Sequence, residues 1–285
     1  MTEPSPATPL PDHRQDAGYF RFLERTGVDW DAWWEVLCGR VAGAIFRGAL
    51  TPEVCERTCR RFWSSPLLSS PNTTRGTERA VGPLLLASDT LDGYLTESER
   101  TRTGLAEICG GPGRTLPALL DEWQTYLADR GVGLRLAEHE GRTAGSFKIR
   151  SRADSESFGL LPHDDAMHNW GLPHLLDFEI QGVKHVCNTL LCLENGPGGE
   201  LVYWNAAFGP EDRRALGMRP DSYGYPLEAL SGVERITLPI HAGDMYMFDG
   251  GNVHAVAASG TADVHRTMAL WITGQLDDGT ILQWA

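Results

Sequence analysis

The sequence predicts an α+β protein: helices first, then a sandwich or jelly roll of short strands. Three observations carry this. Up to about residue 130, apolar residues recur at three- and four-residue steps, the period of an amphipathic helix. After about Gly145 the period falls to two, with Phe147 and Ile149 alternating with Lys148 and Arg150. Short strand candidates separated by Gly- and Pro-rich turns then run to the C-terminus, which favours a sandwich or jelly roll over βαβ units.

Taken in order, residues 1–15 are polar and Pro-rich and are expected to form a flexible tail. They lack the apolar stretch of a secretory signal. Residues 16–145 are expected to be mainly helical and packed on a core formed by 146–285, without a second independent domain. Helical patterning begins near Ala17, and Trp30, Trp33, Trp34, Leu37 and Val41 make one stripe. Such a Trp cluster suits a core; stacking on a substrate is the alternative. Thr51-Pro52-Glu53 has a cap residue followed by Pro at the first helical position, opening a helix through Val54, Cys55, Cys59 and Phe62. Ser64 to Arg75 is rich in Ser, Pro and Asn and is expected to be a loop. Ser98 to Cys109 is the next helix, closed by Gly110-Gly111. Thr115 to Arg130 is the clearest, with Leu116, Leu119, Leu120, Trp123 and Leu127 on one face and Gly131 ending it. The strand candidates are Val186–Leu193, Glu200–Trp204, Glu234–Pro239, Asp244–Phe248, His254–Ala258 and Thr267–Thr273. Asn195-Gly196-Pro197-Gly198-Gly199 is the strongest hairpin signal. Trp170–Gln181 and Pro210–Leu230 look like long insertions, expected to cover a pocket mouth.

At 285 residues and 41% hydrophobic content, one large domain or a core with an appendage is expected. Lys and Arg number 25 against 38 Asp and Glu, a net charge of −13. That balance disfavours a broad basic face for nucleic acid or an anionic membrane. No uninterrupted apolar run reaches transmembrane length. The six Cys form no C-x-x-C pair, and a chain this long needs no disulfide framework. Reduced thiols and a cytoplasmic location are therefore expected. Cys55 and Cys59 share a helix face, which suits a core stripe; a metal pair is the alternative.

The candidate site starts at Leu160–Asp165, Leu-Leu-Pro-His-Asp-Asp. On an extended strand His163 and Asp165 point to one face. An imidazole and a carboxylate meeting there suit a divalent metal, the alternative being an ordinary loop at a strand end. A metal needs a further ligand, and His254 is the best candidate. Arg266 follows, just before the apolar run Thr267–Ile272. An Arg entering a buried strand needs an anionic partner. Asp164 should point the other way. His168, His174, His185, His241 and His265 are expected at the surface or beside the site.

From about Ser146 to Ile272 the chain resembles the Fe(II)/2-oxoglutarate-dependent oxygenases. The resemblance rests on His163-Asp164-Asp165, the hairpin Gly198–Asn205, the strand Gly243–Phe248, then His254 and Arg266 in that order. It implies a double-stranded β-helix core, jelly-roll and cupin-like, with N-terminal and flanking helices. It implies that His163, Asp165 and His254 hold Fe(II), and that 2-oxoglutarate and O2 are co-substrates yielding succinate and CO2. Arg266 would pair with the distal carboxylate of 2-oxoglutarate. In the plant-type members that Arg is followed two residues later by Ser; here Met268 stands there, so the second carboxylate partner comes from elsewhere. Related iron halogenases have Gly or Ala where this chain has Asp165, which implies hydroxylation here.

Asn188 and Thr189 are candidates for the co-substrate pocket. Tyr203, Trp204, Asn205 and Trp271 are weaker candidates for the substrate, since alternation lets only one of each adjacent pair face inward. Lys148 and Arg150 share a strand face and either meet a substrate carboxylate or form a solvated cationic pair. The expected activity is hydroxylation of a small polar molecule, a free amino acid or a specialised-metabolite intermediate. Desaturation or cyclisation, a cupin-type enzyme needing no 2-oxo acid, and a non-catalytic jelly-roll binding protein are the alternatives.

Overall fold

The computed structural model describes residues 18–69, 78–152, 158–166, 172–218, 224–258 and 265–285. The expected tail, the helix start at Ala17, the end of the Ser64–Arg75 loop, His168 and the start of the Trp170 insertion lie outside these residues.

Strand β1 (Phe22–Thr26) replaces the expected early helix. Gly27 after it takes φ 72, a left-handed conformation that breaks any continuous helix. Helix α1 (Trp30–Leu37) is correspondingly short. The Asp29 side chain caps it by accepting from the backbone N–H of Asp31 and Ala32. The chain then enters β2 (Gly43–Arg47), which pairs in parallel with β1. Helix α2 (Pro52–Trp63) starts after Thr51 with Pro at its first position, as expected. A short strand β3 (Arg79–Val81) precedes α3 (Leu91–Cys109), which begins seven residues before the expected Ser98 because Thr90 caps Gly93. Helix α4 (Leu116–Asp129) is capped by Thr115. Strands β4 (Leu134–Leu136), β5 (Glu138–His139) and β6 (Arg142–Thr143) lead to β7 (Lys148–Arg152).

The core strands follow: β8 (Phe158–His163), β9 (Val186–Glu194), β10 (Leu201–Trp204), then helix α5 (Pro210–Ala215), β11 (Arg235–Leu238), β12 (Met245–Asp249), β13 (His254–Ala257), β14 (Arg266–Gln275) and β15 (Ile281–Trp284). They divide between two sheets. The larger runs β1-β2-β12-β9-β14-β15-β4, with β7 also on β14 and β3 on β7. The smaller runs β11-β10-β13-β8. From β7 to β14 the chain passes repeatedly between them.

Alternation sorts the side chains into layers. Met245, Met247, Ala269 and Trp271 face the helices, packing with Trp33, Val36, Phe62 and Trp123. Trp33 and Trp123 meet edge to face at 4.4 Å between centroids, a pairing that adds to their area burial. On the opposite face Leu190, Tyr246, Phe248, Met268 and Leu270 point between the sheets, towards Leu201 and Tyr203. The outer face of the small sheet is covered by Phe208, Tyr225 and Leu230 from the 205–230 segment. Residues 172–183 bury Leu175, Phe178 and Ile180 against Tyr94 and Trp284. The described parts of both expected insertions thus pack against the body of the protein.

Candidate metal centre and its pocket

His163 ends β8, His254 opens β13, and the two residues pair across the small sheet with ring centroids 4.3 Å apart. Asp165 lies beyond the strand end. Its backbone N–H donates to the Gly250 carbonyl at 2.8 Å, so the loop before β13 fixes the turn. The carboxylate thereby returns to 3.1 Å from His254 Nε2. A bend, in place of a continued strand, brings the H-x-D pair together. One donor atom from each of His163, Asp165 and His254 lies within 4.8 Å of the others.

Both imidazoles are oriented in advance. His163 Nδ1 is 2.7 Å from the Leu161 carbonyl and His254 Nδ1 is 2.9 Å from that of Asn252. A carbonyl only accepts, so each Nδ1 carries a proton and Nε2 is the atom left to ligate. Burial, and then the neighbouring His254, pushes the His163 imidazole down to about 3, so it is neutral, the ligating form. Asn188 donates its side-chain amide to Asp165 Oδ2. Two imidazoles and a carboxylate make the donor set of a mononuclear iron site with open positions, and these residues fit that ion.

The cluster faces a cavity between the sheets. Leu160, Asn188, Leu190, Tyr246, Phe248, Leu270 and Ile272 line it, together with Lys148, Arg150 and Arg152 on β7 and Glu78 before β3. No described residue of the two insertions lines it. Arg266 shares the inward face of β14 with Met268 and Leu270. Its Nη2 donates to the Tyr246 hydroxyl at 2.8 Å, while its buried Nε has no hydrogen-bond partner. Burial holds the Tyr246 phenol above its ordinary range despite the adjacent Arg266, so its own hydrogen remains to be donated. An orphaned guanidinium N–H beside a spare hydroxyl fits a carboxylate. Tyr246 carries no motif, and only the β12 register brings it beside Arg266. Gly199, with φ 71, lets the Arg266 stem pass: a Cβ there would stand 3.1 Å from Arg266 Cδ.

Four expected substrate residues and two expected co-substrate residues, Thr189 and Arg266, do not line the cavity; Arg266 lies behind Tyr246, to which it is bonded. Thr189 is on the helix side of β9, opposite to Asn188, because neighbours on a strand face opposite ways. Trp271 faces the helices for the same reason. Tyr203 is sealed between Phe20, Phe22 and Phe248, its hydroxyl donating to the Asp249 carbonyl at 2.9 Å. Trp204 packs outside the small sheet with Phe208 and Tyr225. Asn205 turns outward towards Glu234. Lys148 and Arg150 do reach the cavity. Of the other described histidines, His185 meets Cys187, His241 meets Asp244 and His265 packs on Trp63.

Asp164 points away from the cluster, as expected, into a buried network. Its Oδ2 accepts from Arg213 Nη1 at 3.1 Å and from the Tyr225 hydroxyl. No local spacing marks this network, because the partners sit 49 and 61 residues away.

No family model matches the chain. The L-isoleucine 3(1)-dioxygenase of Pantoea ananatis (strain AJ13355) is 28% identical over 157 residues, covering 55% of this chain and 52% of that enzyme. This similarity to a dioxygenase supports the resemblance to the Fe(II)/2-oxoglutarate-dependent oxygenases. The chain spans about half the length of the curated relative it matches. Its fold is shared with the crystal structure of an N-substituted L-amino acid dioxygenase from Burkholderia ambifaria AMMD, at a TM-score of 0.56, 12% identity, and coverage of 90% of this chain and 91% of that one. Among the described residues, no helix is long and apolar enough to cross a membrane.

Proposed function

We propose that the chain is an Fe(II)/2-oxoglutarate-dependent dioxygenase that hydroxylates an unactivated C–H bond of a small polar molecule, an amino acid or a specialised-metabolite intermediate. The observation that carries this is the His–Asp–His cluster on one cavity that Tyr246 also lines, with Arg266 hydrogen-bonded to Tyr246. The core on this reading is a double-stranded β-helix formed by β7 to β14, with residues 16–145 packed on it. His163 and His254 hold Fe(II) through Nε2 and Asp165 holds it through its carboxylate. Iron with 2-oxoglutarate and O2 supplies the C–H oxidation, with release of succinate and CO2.

The protein's part is positional. Asn188 steadies Asp165 through Oδ2. Arg266 Nε and the Tyr246 hydroxyl receive the distal carboxylate of 2-oxoglutarate. The apolar lining, Leu160, Leu190, Phe248, Leu270 and Ile272, excludes water and leaves the substrate carbon beside the cluster. The two relatives are dioxygenases named for L-isoleucine and for N-substituted L-amino acids, which supports an amino acid as substrate.

The test is anaerobic titration with Fe(II), then 2-oxoglutarate, followed by O2 and a panel of metabolites with succinate as the readout. One equivalent of Fe(II), lost in His163→Ala and in His254→Ala, is expected. Stoichiometric Fe(II) in both variants would overturn the reading. Product mass separates hydroxylation, which adds one oxygen from O2, from desaturation or cyclisation. Fe(II) uptake without 2-oxoglutarate binding would point to a cupin-type enzyme, and neither to a binding protein.

A further inference from the structure

The cavity has a charged wall to which the reading above gives no task. Lys148, Arg150 and Arg152 occupy alternate positions of β7 and all line the cavity beside Glu78. Strand pairing sets this arrangement: Arg79 on β3 lies opposite Ser151 on β7, which brings the preceding Glu78 to Arg152. Glu78 is 2% exposed. Burial works against its charge, but Arg150, Arg152 and Lys148 together hold the carboxyl below its ordinary range.

The contact with Arg152 is one-sided. Arg152 Nε donates to Glu78 Oε2 at 2.8 Å and Nη2 donates to the same oxygen. Neither bond uses Oε1. A buried carboxylate with one oxygen committed to a guanidinium has its other oxygen for a second cationic donor. One step along the same face, Arg150 presents a planar fork of N–H donors suited to a carboxylate. Much of the remaining lining is aliphatic, from Leu84 to Leu86 and Leu160. Opposite charges side by side, facing an apolar hollow, match a single carbon that bears an ammonium, a carboxylate and an apolar side chain.

We infer that Glu78 Oε1 receives the ammonium group of the substrate and Arg150 its carboxylate, so that the substrate is a free α-amino acid with an unsubstituted nitrogen. The inference rests on the oxygenase reading and narrows it. An N-acylated amino acid brings no positive charge, and its amide carbonyl would set one acceptor against another at Glu78. A deaminated acid brings no ammonium to Oε1.

The experiment is anaerobic calorimetry on protein loaded with Fe(II) and 2-oxoglutarate, so that binding is read without turnover. The probes are the standard L-amino acids, their N-acetyl derivatives and the corresponding deaminated acids. Wild type should bind at least one free amino acid about 10- to 100-fold more tightly than its N-acetyl and deaminated counterparts, the range for one hydrogen bond to a charged group. Glu78→Gln should collapse that ratio, and Arg150→Met should weaken all three probes while leaving the ratio in place. A ratio within one variant does not depend on how much of it is folded. An unchanged ratio in Glu78→Gln, preference for the N-acetyl or deaminated probes, or no binding of any free amino acid overturns the inference. Failure of the wild type to take up Fe(II) and 2-oxoglutarate at all overturns the oxygenase reading, and this inference with it.

Discussion

At the scale of single residues, Glu78 gives a pH dependence whose sign follows from its environment. Burial raises its pKa, but the guanidinium and ammonium groups of β7 outweigh this and leave it lowered from 4.5. A depressed carboxylate means that the unfolded chain binds more protons than the folded one in acid. Its stabilisation is complete above about pH 4.5, the unfolded value, and is lost as pH falls through the lower, folded value. The melting temperature of wild type should therefore drop on acidification below that point, and Glu78→Gln should show a shallower acid limb. Parallel limbs would mean that the Glu78–Arg152 pair carries no linkage. Asn188 gives a second prediction. Removing its bond to Asp165 with Asn188→Ala should weaken Fe(II) binding about 10- to 100-fold, read by anaerobic titration, with little change in melting temperature. Unchanged iron affinity would show that Asp165 is held by the turn alone. His163, Asp165 and His254 were legible in the chain because H-x-D is a local spacing and the distal His and Arg follow in a fixed order. Tyr246 and Glu78 were not, since each acquires its role from a partner on another strand, and register has no local signature.

At the scale of elements, the 205–230 segment is tied to the H-x-D turn through charge. Asp164, Arg213 and Tyr225 are all buried, at 1%, 4% and 5% exposure. Arg213→Met removes one partner and leaves Asp164 desolvated in the interior, which should cost about 3–5 kcal/mol of stability. Tyr225→Phe deletes a single hydroxyl and should cost about 1–3 kcal/mol. Denaturant titration of both variants checks the order; equal losses would show that the network is not shared as its contacts indicate. The helices α2 and α4 were readable because cap residue and stripe agree at each. The stretch before α1 was misread because its apolar residues fit a helical period, whereas Gly27 and the pairing of β1 with β2 make it a strand. Strands β1, β3 and β4 escape sequence reading for a related reason: each is short and is stabilised by a sheet edge formed elsewhere in the chain.

At the scale of the molecule, two sheets divide the labour. The small sheet carries both candidate imidazoles, at the end of β8 and the start of β13. The large sheet carries the proposed carboxylate anchor, Arg266 on β14 and Tyr246 on β12, and the charged wall of β7. Metal binding and co-substrate binding should therefore be separable by mutation, although both face one cavity. Arg266→Ala removes a guanidinium from the large sheet and leaves the Nε2 atoms and the Asp165 carboxylate in place. It should bind Fe(II) as wild type does, while the apparent 2-oxoglutarate affinity falls by about 2–5 kcal/mol, the range for truncating one partner of a buried charge pair. Tyr246→Phe should give a smaller loss in the same direction, because the orphaned Arg266 Nε still meets the carboxylate. His254→Ala should do the reverse and abolish iron binding first. Anaerobic titrations of the three variants with Fe(II) and then 2-oxoglutarate distinguish these outcomes. Loss of iron in Arg266→Ala would mean that the sheets share one cooperative site. Unchanged 2-oxoglutarate affinity would move the anchor to the cations of β7, with Arg150 then competing for two carboxylates.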